Sequence, residues 1–273
     1  MRHFFLSTRP ALLSISFLSL FLTTVPLLAS TEEQTPVFGG VPGEVLIYNV
    51  HWVGIPAGRA EIKMGQAEPN QYKLEAMVET IGMVKFLHAI KDTLNSSGDR
   101  LDDGTFHSST YFKDQRKGSN IRQTTYEFDR EKNVVQRLRK KEKPIHITIS
   151  KGEVNDPLAV FFTLRSLPKL EPNTSLSWVT VDGRKEYEMT VEIGQPTQEF
   201  TPLGRFDIIP IKVKIPSSKE LFRQEEAIEI WLTNDHRRMP VRVETRLSLG
   251  GVAADLVSFK DGRGGQDDIG GNP

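Results

Sequence analysis

From Gly43 onward, apolar and polar residues alternate with the two-residue period of a strand that is dry on one face and wet on the other. Residues 59–64 run Arg, Ala, Glu, Ile, Lys, Met, and residues 186–193 run Glu, Tyr, Glu, Met, Thr, Val, Glu, Ile. The stretch 72–79 has the same rhythm, which returns at Ile145/Ile147/Ile149, Ile209/Ile211/Val213/Ile215, Ile228/Ile230/Leu232 and Met239/Val241/Val243. Turn residues separate these runs at Ile55-Pro56-Ala57-Gly58, Asp102-Asp103-Gly104, Val181-Asp182-Gly183, Leu203-Gly204 and Gly250-Gly251. The pattern predicts a mainly β protein, a single antiparallel sheet of about a dozen strands that curls into a barrel or an overlapping spiral, because an open sheet that long exposes two reactive edges.

Two segments depart from the alternation. Asp156 to Arg165 offers an N-cap Asp, a Pro at the first helical position and an apolar run that stops before Pro168, the signature of a short buried helix. Ile81 to Ile90 reads equally as a second short helix or as a bent strand. The segment 261–273 has no apolar periodicity and is expected to be a disordered tail. No linker interrupts 40–260, which reads as one β domain.

The amino terminus differs in kind. Arg2, His3 and Arg9 precede an apolar stretch from Ala11 to Leu28 that runs into Ala29, Ser30 and a polar segment, as in a secretory signal peptide over 1–30. Pro26 and the scattered Ser and Thr shorten the apolar run below the ~20 residues that span a bilayer, so cleavage is expected and no membrane span in the mature chain. Removing the leader takes two of the 35 basic residues and none of the 35 acidic ones, a formal charge of −2 that argues neither for nucleic acid nor for an acidic substrate. The protein is expected in the periplasm. It has no cysteine, which excludes thiol catalysis, a thioether lipid anchor and cysteine-based metal sites.

Little else points to chemistry. His51, His88, His107, His146 and His236 share no metal-binding spacing, so no metal and no cofactor is expected. Ser166-Leu167-Pro168-Lys169 matches the Ser-x-x-Lys spacing of penicillin-binding enzymes, but Pro168 breaks the helical turn that would join the two residues. Catalytic residues are therefore assigned to none, and the chain is read as no enzyme. Tyr48, Trp52, Phe161, Phe162 and Trp231 are the candidates to line an apolar ligand pocket. The stretch 113–143 carries eleven Lys or Arg against five Asp or Glu. Arg137, Arg139, Lys140, Lys141 and Lys143 are its candidates for an anionic surface such as lipid phosphate or glycan.

Three stretches together resemble the bacterial domain-of-unknown-function 3108 family. They are Gly43 to Trp52 with Gly54-Ile55-Pro56-Ala57-Gly58, Asp156 to Arg165, and Ile230 to Asp235 with Arg238-Met239-Pro240-Val241. The resemblance spans 43–260 and implies a Gram-negative periplasmic setting and an all-β domain, without catalytic residues to carry over. Three functions follow as expectations. One is a carrier whose dry interior holds a lipid-like ligand, one an envelope-integrity scaffold that contacts protein or glycan, and one, as the alternative, an envelope hydrolase whose site is assembled only in space.

Overall fold

The computed structural model describes residues 39–215, 227–247 and 250–262. The leader expected over 1–30 lies outside the described residues, as does the expected tail beyond Gly262.

Strands dominate. The first group is β1 (Val45–Trp52), β2 (Ile55–Met64), β3 (Gln71–Thr80), β4 (Ile90–Arg100), β5 (Phe106–Lys117), β6 (Asn120–Asp129), β7 (Val134–Arg139) and β8 (Ile145–Thr148). The second is β9 (Val154–Asn155), β10 (Thr174–Asp182), β11 (Lys185–Ile193), β12 (Thr197–Thr201), β13 (Gly204–Lys214), β14 (Ala227–Thr233), β15 (Pro240–Leu247) and β16 (Gly250–Lys260). Helix α1 (Gly82–Leu87) connects β3 to β4, and α2 (Pro157–Ser166) connects β9 to β10. Among the described residues there are thus sixteen strands where the alternation suggested about a dozen. The surplus comes from strands such as β4 and β6, whose polar residues obscure the period.

β1 to β8 form a meander in which each strand lies beside the next. β1 then pairs with β16, and the sheet continues backwards along the chain through β15, β14, β13, β11 and β10 to β9. β9 runs parallel to β10, and β12 pairs with β13 alone. The sheet is one continuous ladder from β8 to β9 that curls but does not close through backbone hydrogen bonds. Its two ends approach through side chains instead. Lys113 on β5 donates to both carboxylate oxygens of Asp182 on β10 at 2.8 and 2.9 Å. The Tyr126 hydroxyl on β6 accepts from the Gly183 amide at 2.9 Å, and burial followed by the charge of Asp182 pushes that phenol up to about 12. Beneath this seam Tyr111, Tyr126, Val135 and Ile147 pack on Val154 and Val181 from the other end.

Helix α2 fills the space the sheet encloses. It begins where the sequence predicts, with Asp156 as N-cap and Pro157 in the first turn, and it ends at Leu167 before Pro168. Being apolar on nearly every side, it needs cover all round. Val160 and Leu164 pack on β11, β13 and β14, while Leu158, Ala159 and Phe162 pack on β2, β3 and β5.

Two local expectations are corrected or decided. Ile55 to Gly58, read as a turn, belong to β2; Val53 and Gly54, both with positive φ, make the reversal. Pro56 is tolerated there because the β1–β2 ladder shifts register between Val50 and His51, beside it. The ambiguous segment from Ile81 is helical, and α1 buries none of its residues.

Candidate functional site

The three sequence segments that carry the family resemblance meet at one buried point. Arg165, at the end of α2, is fully buried. Its guanidinium forms a two-pronged pair with Glu44, Nη1 to Oε2 at 2.9 Å and Nη2 to Oε1 at 2.8 Å. Its Nε donates to the carbonyl of Arg238 at 3.0 Å and Nη2 to that of Arg237 at 3.3 Å. The cation lies 4.9 Å from the ring centroid of Phe162 and 5.9 Å from that of Phe161. Tyr48 adds a hydroxyl that donates to the Pro240 carbonyl at 2.8 Å, and burial raises its phenol far above the ordinary range. Planar guanidinium suits this task because its donors reach a carboxylate and two carbonyls at once.

The turn that supplies those carbonyls is itself braced. Asp235 accepts from the Thr233 hydroxyl at 2.7 Å, the Arg237 amide at 3.0 Å and the Arg237 guanidinium at 2.8 Å. Burial alone would raise the Asp235 carboxyl, but these hydrogen bonds from Thr233 and Arg237 outweigh it and hold the group below its usual range.

A second buried network fixes the other end of α2. Asp156 Oδ1 accepts from the amides of Leu158 and Ala159 at 2.9 and 3.0 Å. Its Oδ2 accepts from the Ser96 and Ser108 hydroxyls at 2.6 and 2.7 Å, and the Tyr72 hydroxyl lies 3.1 Å from Ser96 Oγ. Burial raises the Asp156 carboxyl despite these donors. Serines beside a carboxylate suggest hydrolysis, but activation of a hydroxyl needs a base that takes its proton and a path for substrate. Here the aspartate already receives four hydrogen bonds, and Ser96 and Ser108 are buried. The network caps α2 and ties its first turn to β4 and β5.

The five pocket candidates do not share one cavity. Tyr48 packs with Leu46, Ile208 and Val241, and Trp231 leans on that group half-buried with the Arg242 guanidinium 5.0 Å from its ring centroid. Phe162 packs with Phe106, Tyr72 and Leu74, and Phe161 bridges this group to the one around Val160. Trp52 is half-buried at the end of β1. One cleft of about 310 Å³ opens elsewhere, walled by Phe128, Val135, Ile149 and Val154 with Arg130 and Glu153. A smaller one of about 10 Å³ lies beside Glu44, Leu46 and Met239.

The basic candidates also divide. Arg137 is buried on the dry side of β7 with Nη1 donating to Glu142 at 3.0 Å, so it does not belong to a surface. Arg139 is half-buried and bonds the same carboxylate at 2.6 Å. Lys140, Lys141 and Lys143 are exposed in the β7–β8 turn. Among the described residues no group of three His, Asp or Glu side chains is placed to hold a metal ion, and no helix is long and apolar enough to cross a membrane.

Reading by period missed Glu44 and Arg165. One signal pointed to them: a single charge in a helix with no wet face must find a partner inside.

Curled sheet, internal helix and buried Arg165 centre define an all-β protein of barrel-like build. A family model described as "Protein of unknown function (DUF3108)" matches residues 47–257, and the chain belongs to that family. Among solved structures it is similar to the beta-barrel-like protein of domain of unknown function DUF1849 from Brucella abortus. That likeness has a TM-score of 0.53 at 8% identity over 81% of this chain and 98% of the other, and it shows the fold. A hypothetical protein from Chlamydia trachomatis matches more loosely, with a TM-score of 0.39 at 9% identity over 88% of this chain and 96% of that one. No curated protein matches the chain.

Proposed function

We propose that this chain is a non-enzymatic protein of the bacterial envelope that acts through its outer surface, its helix-filled interior serving as a core and not as a carrier chamber. The signal-like leader supports the compartment. The observation that carries the mode of action is the seating of α2. Phe162 is fully buried, with the Phe106 and Phe161 rings 5.7 and 5.8 Å away, and the helix is held at one end by Asp156 and at the other by Arg165. A lipid chain in the interior would have to displace a helix anchored at both ends.

The test is paired. Urea unfolding of wild type and Phe162→Ala should differ by about 3–5 kcal/mol, the cost of a large cavity that well-packed neighbours do not refill. Lipid extraction after a high-salt wash should yield no stoichiometric lipid from either protein. A small stability loss together with retained lipid would instead establish the carrier.

A further inference from the structure

We propose that one edge of the curled sheet is a docking surface for a bilayer with anionic headgroups. This rests on the outward-acting reading above and names its partner. Alternate connections of an antiparallel meander share an edge. The β1–β2, β3–β4 and β5–β6 connections therefore come together, as the register shows: Trp52 opposite Ile55, Glu79 opposite Lys91, Ile90 opposite Lys117, and Lys117 opposite Asn120.

Apolar side chains stand out from all three connections. In α1, Met83, Phe86 and Leu87 are 81%, 93% and 68% exposed, and Val53, Ile55 and Ile121 on the flanking turns are each more than half exposed. Of nine large hydrophobic side chains exposed among the described residues, six are on this edge. Folding does not account for them, since α1 contributes nothing to the core.

The charge around them is mainly basic. Residues 50–60, 79–92 and 114–123 carry Arg59, Lys85, Lys91, Arg116, Lys117 and Arg122 against Glu79, Asp92 and Asp114. Lys91 pairs with Glu79 and Arg116 with Asp114, whereas Arg59, Lys85, Lys117 and Arg122 form no ion pair with a described residue. The β7–β8 turn opens toward the same edge, set back along β6, and adds Lys140, Lys141 and Lys143 while Arg137 and Arg139 neutralise Glu142. The connections at the opposite edge carry Glu68, Asp102, Asp103 and Glu131 against Arg130 and Lys132.

Apolar tips on separate turns leave no groove for a folded partner, which would have to match each of them. A bilayer accepts them without shape complementarity, its acyl boundary taking the tips while its phosphates meet the surrounding cations.

The experiment uses the chain as recovered from the envelope, co-sedimented with vesicles of phosphatidylethanolamine and phosphatidylglycerol and, in parallel, of phosphatidylcholine alone. Wild type should prefer the anionic vesicles by about tenfold or more and lose that preference in about 0.5 M salt, where charges are screened within a few ångströms. The variants Met83→Ser/Phe86→Ser/Leu87→Ser and Lys117→Glu/Arg122→Glu should each weaken binding about tenfold or more. All five residues are exposed, so melting temperatures should match wild type. Wild type left in the supernatant, or variants that bind as wild type does, would overturn the proposal. So would variants that shed a co-purifying protein while binding vesicles normally. Failure here with no interior lipid in the Phe162 experiment removes the bilayer and keeps the outward-acting reading; interior lipid removes that reading whatever the vesicles do.

Discussion

Two buried or half-buried aspartates at opposite ends of α2 are perturbed in opposite senses, and the difference is measurable. Asp156 has a carboxyl raised by burial, so the folded state holds its proton more tightly than the unfolded chain. Its contribution is fully present at acid pH below the unfolded value and is lost as pH rises through the raised folded value. Asp235 is lowered, so its contribution is present above the unfolded carboxylate value and is lost as pH falls through the lowered one. Wild type and Asp156→Asn should therefore diverge in favour of the variant as pH climbs out of the acid range. Wild type and Asp235→Asn should diverge in favour of wild type over the same climb. Urea midpoints collected from about pH 3 to pH 7 check both signs, because the unfolded reference lies near 3.9. Parallel curves for all three proteins would refute both assignments. The Glu44 pair with Arg165 follows a different rule, since removing one member strands the other charge inside.

At the level of elements, the backbone is tightest where β4 meets β5. The ladder shifts register between Ser97 and Gly98, and a Cβ built on Gly98 would lie 2.0 Å from the His107 carbonyl oxygen and 2.8 Å from the Ser109 amide. Backbone cannot swing aside as a flexible side chain can. Gly98→Ala should lower stability by about 2–3 kcal/mol, whereas Gly251→Ala, with nothing near its added carbon, should leave the urea midpoint unchanged or slightly raised. Equal midpoints for the two variants would show that the register shift relaxes freely. Such crowding leaves no trace in a single sequence. What the sequence does display are features written locally: Asp156-Pro157 announces α2, Gly204 marks the β12–β13 reversal, and the alternation in β3 and β11 declares a dry face. Features made by residues far apart stay hidden. Ser96 and Ser108 look like any wet-face serines until α2 brings Asp156 between them, and Glu44 lies 121 positions from Arg165. The apolar run of α1 was visible, but period alone gives no indication that Phe86 points outward. Pro56 misled for a related reason, because its missing amide is harmless only beside the register shift in β1.

Taken whole, the sheet has its two ends in the middle of the chain and the ends of the domain in the middle of the sheet. β8 and β9, at opposite ends of the strand order, are joined by the short connection 149–153, whereas β1 and β16 lie side by side. A Cβ on Gly43 would sit 3.4 Å from Gly262 Cα. The β1–β16 ladder thus demands that residues about as far apart as this domain allows find each other, a costly loop to close early in folding. Relocating the break would change that cost without changing the fold. A circular permutant opened at 149–153, with Gly262 joined to the segment before Gly43, would run β9 to β16 and then β1 to β8, so that almost every paired strand becomes a neighbour along the chain. Such a molecule should reach the same sheet with a markedly lower contact order. It should refold from urea faster than its parent in stopped-flow fluorescence, while an unchanged rate would mean that the step limiting the parent is not the meeting of its first and last strands.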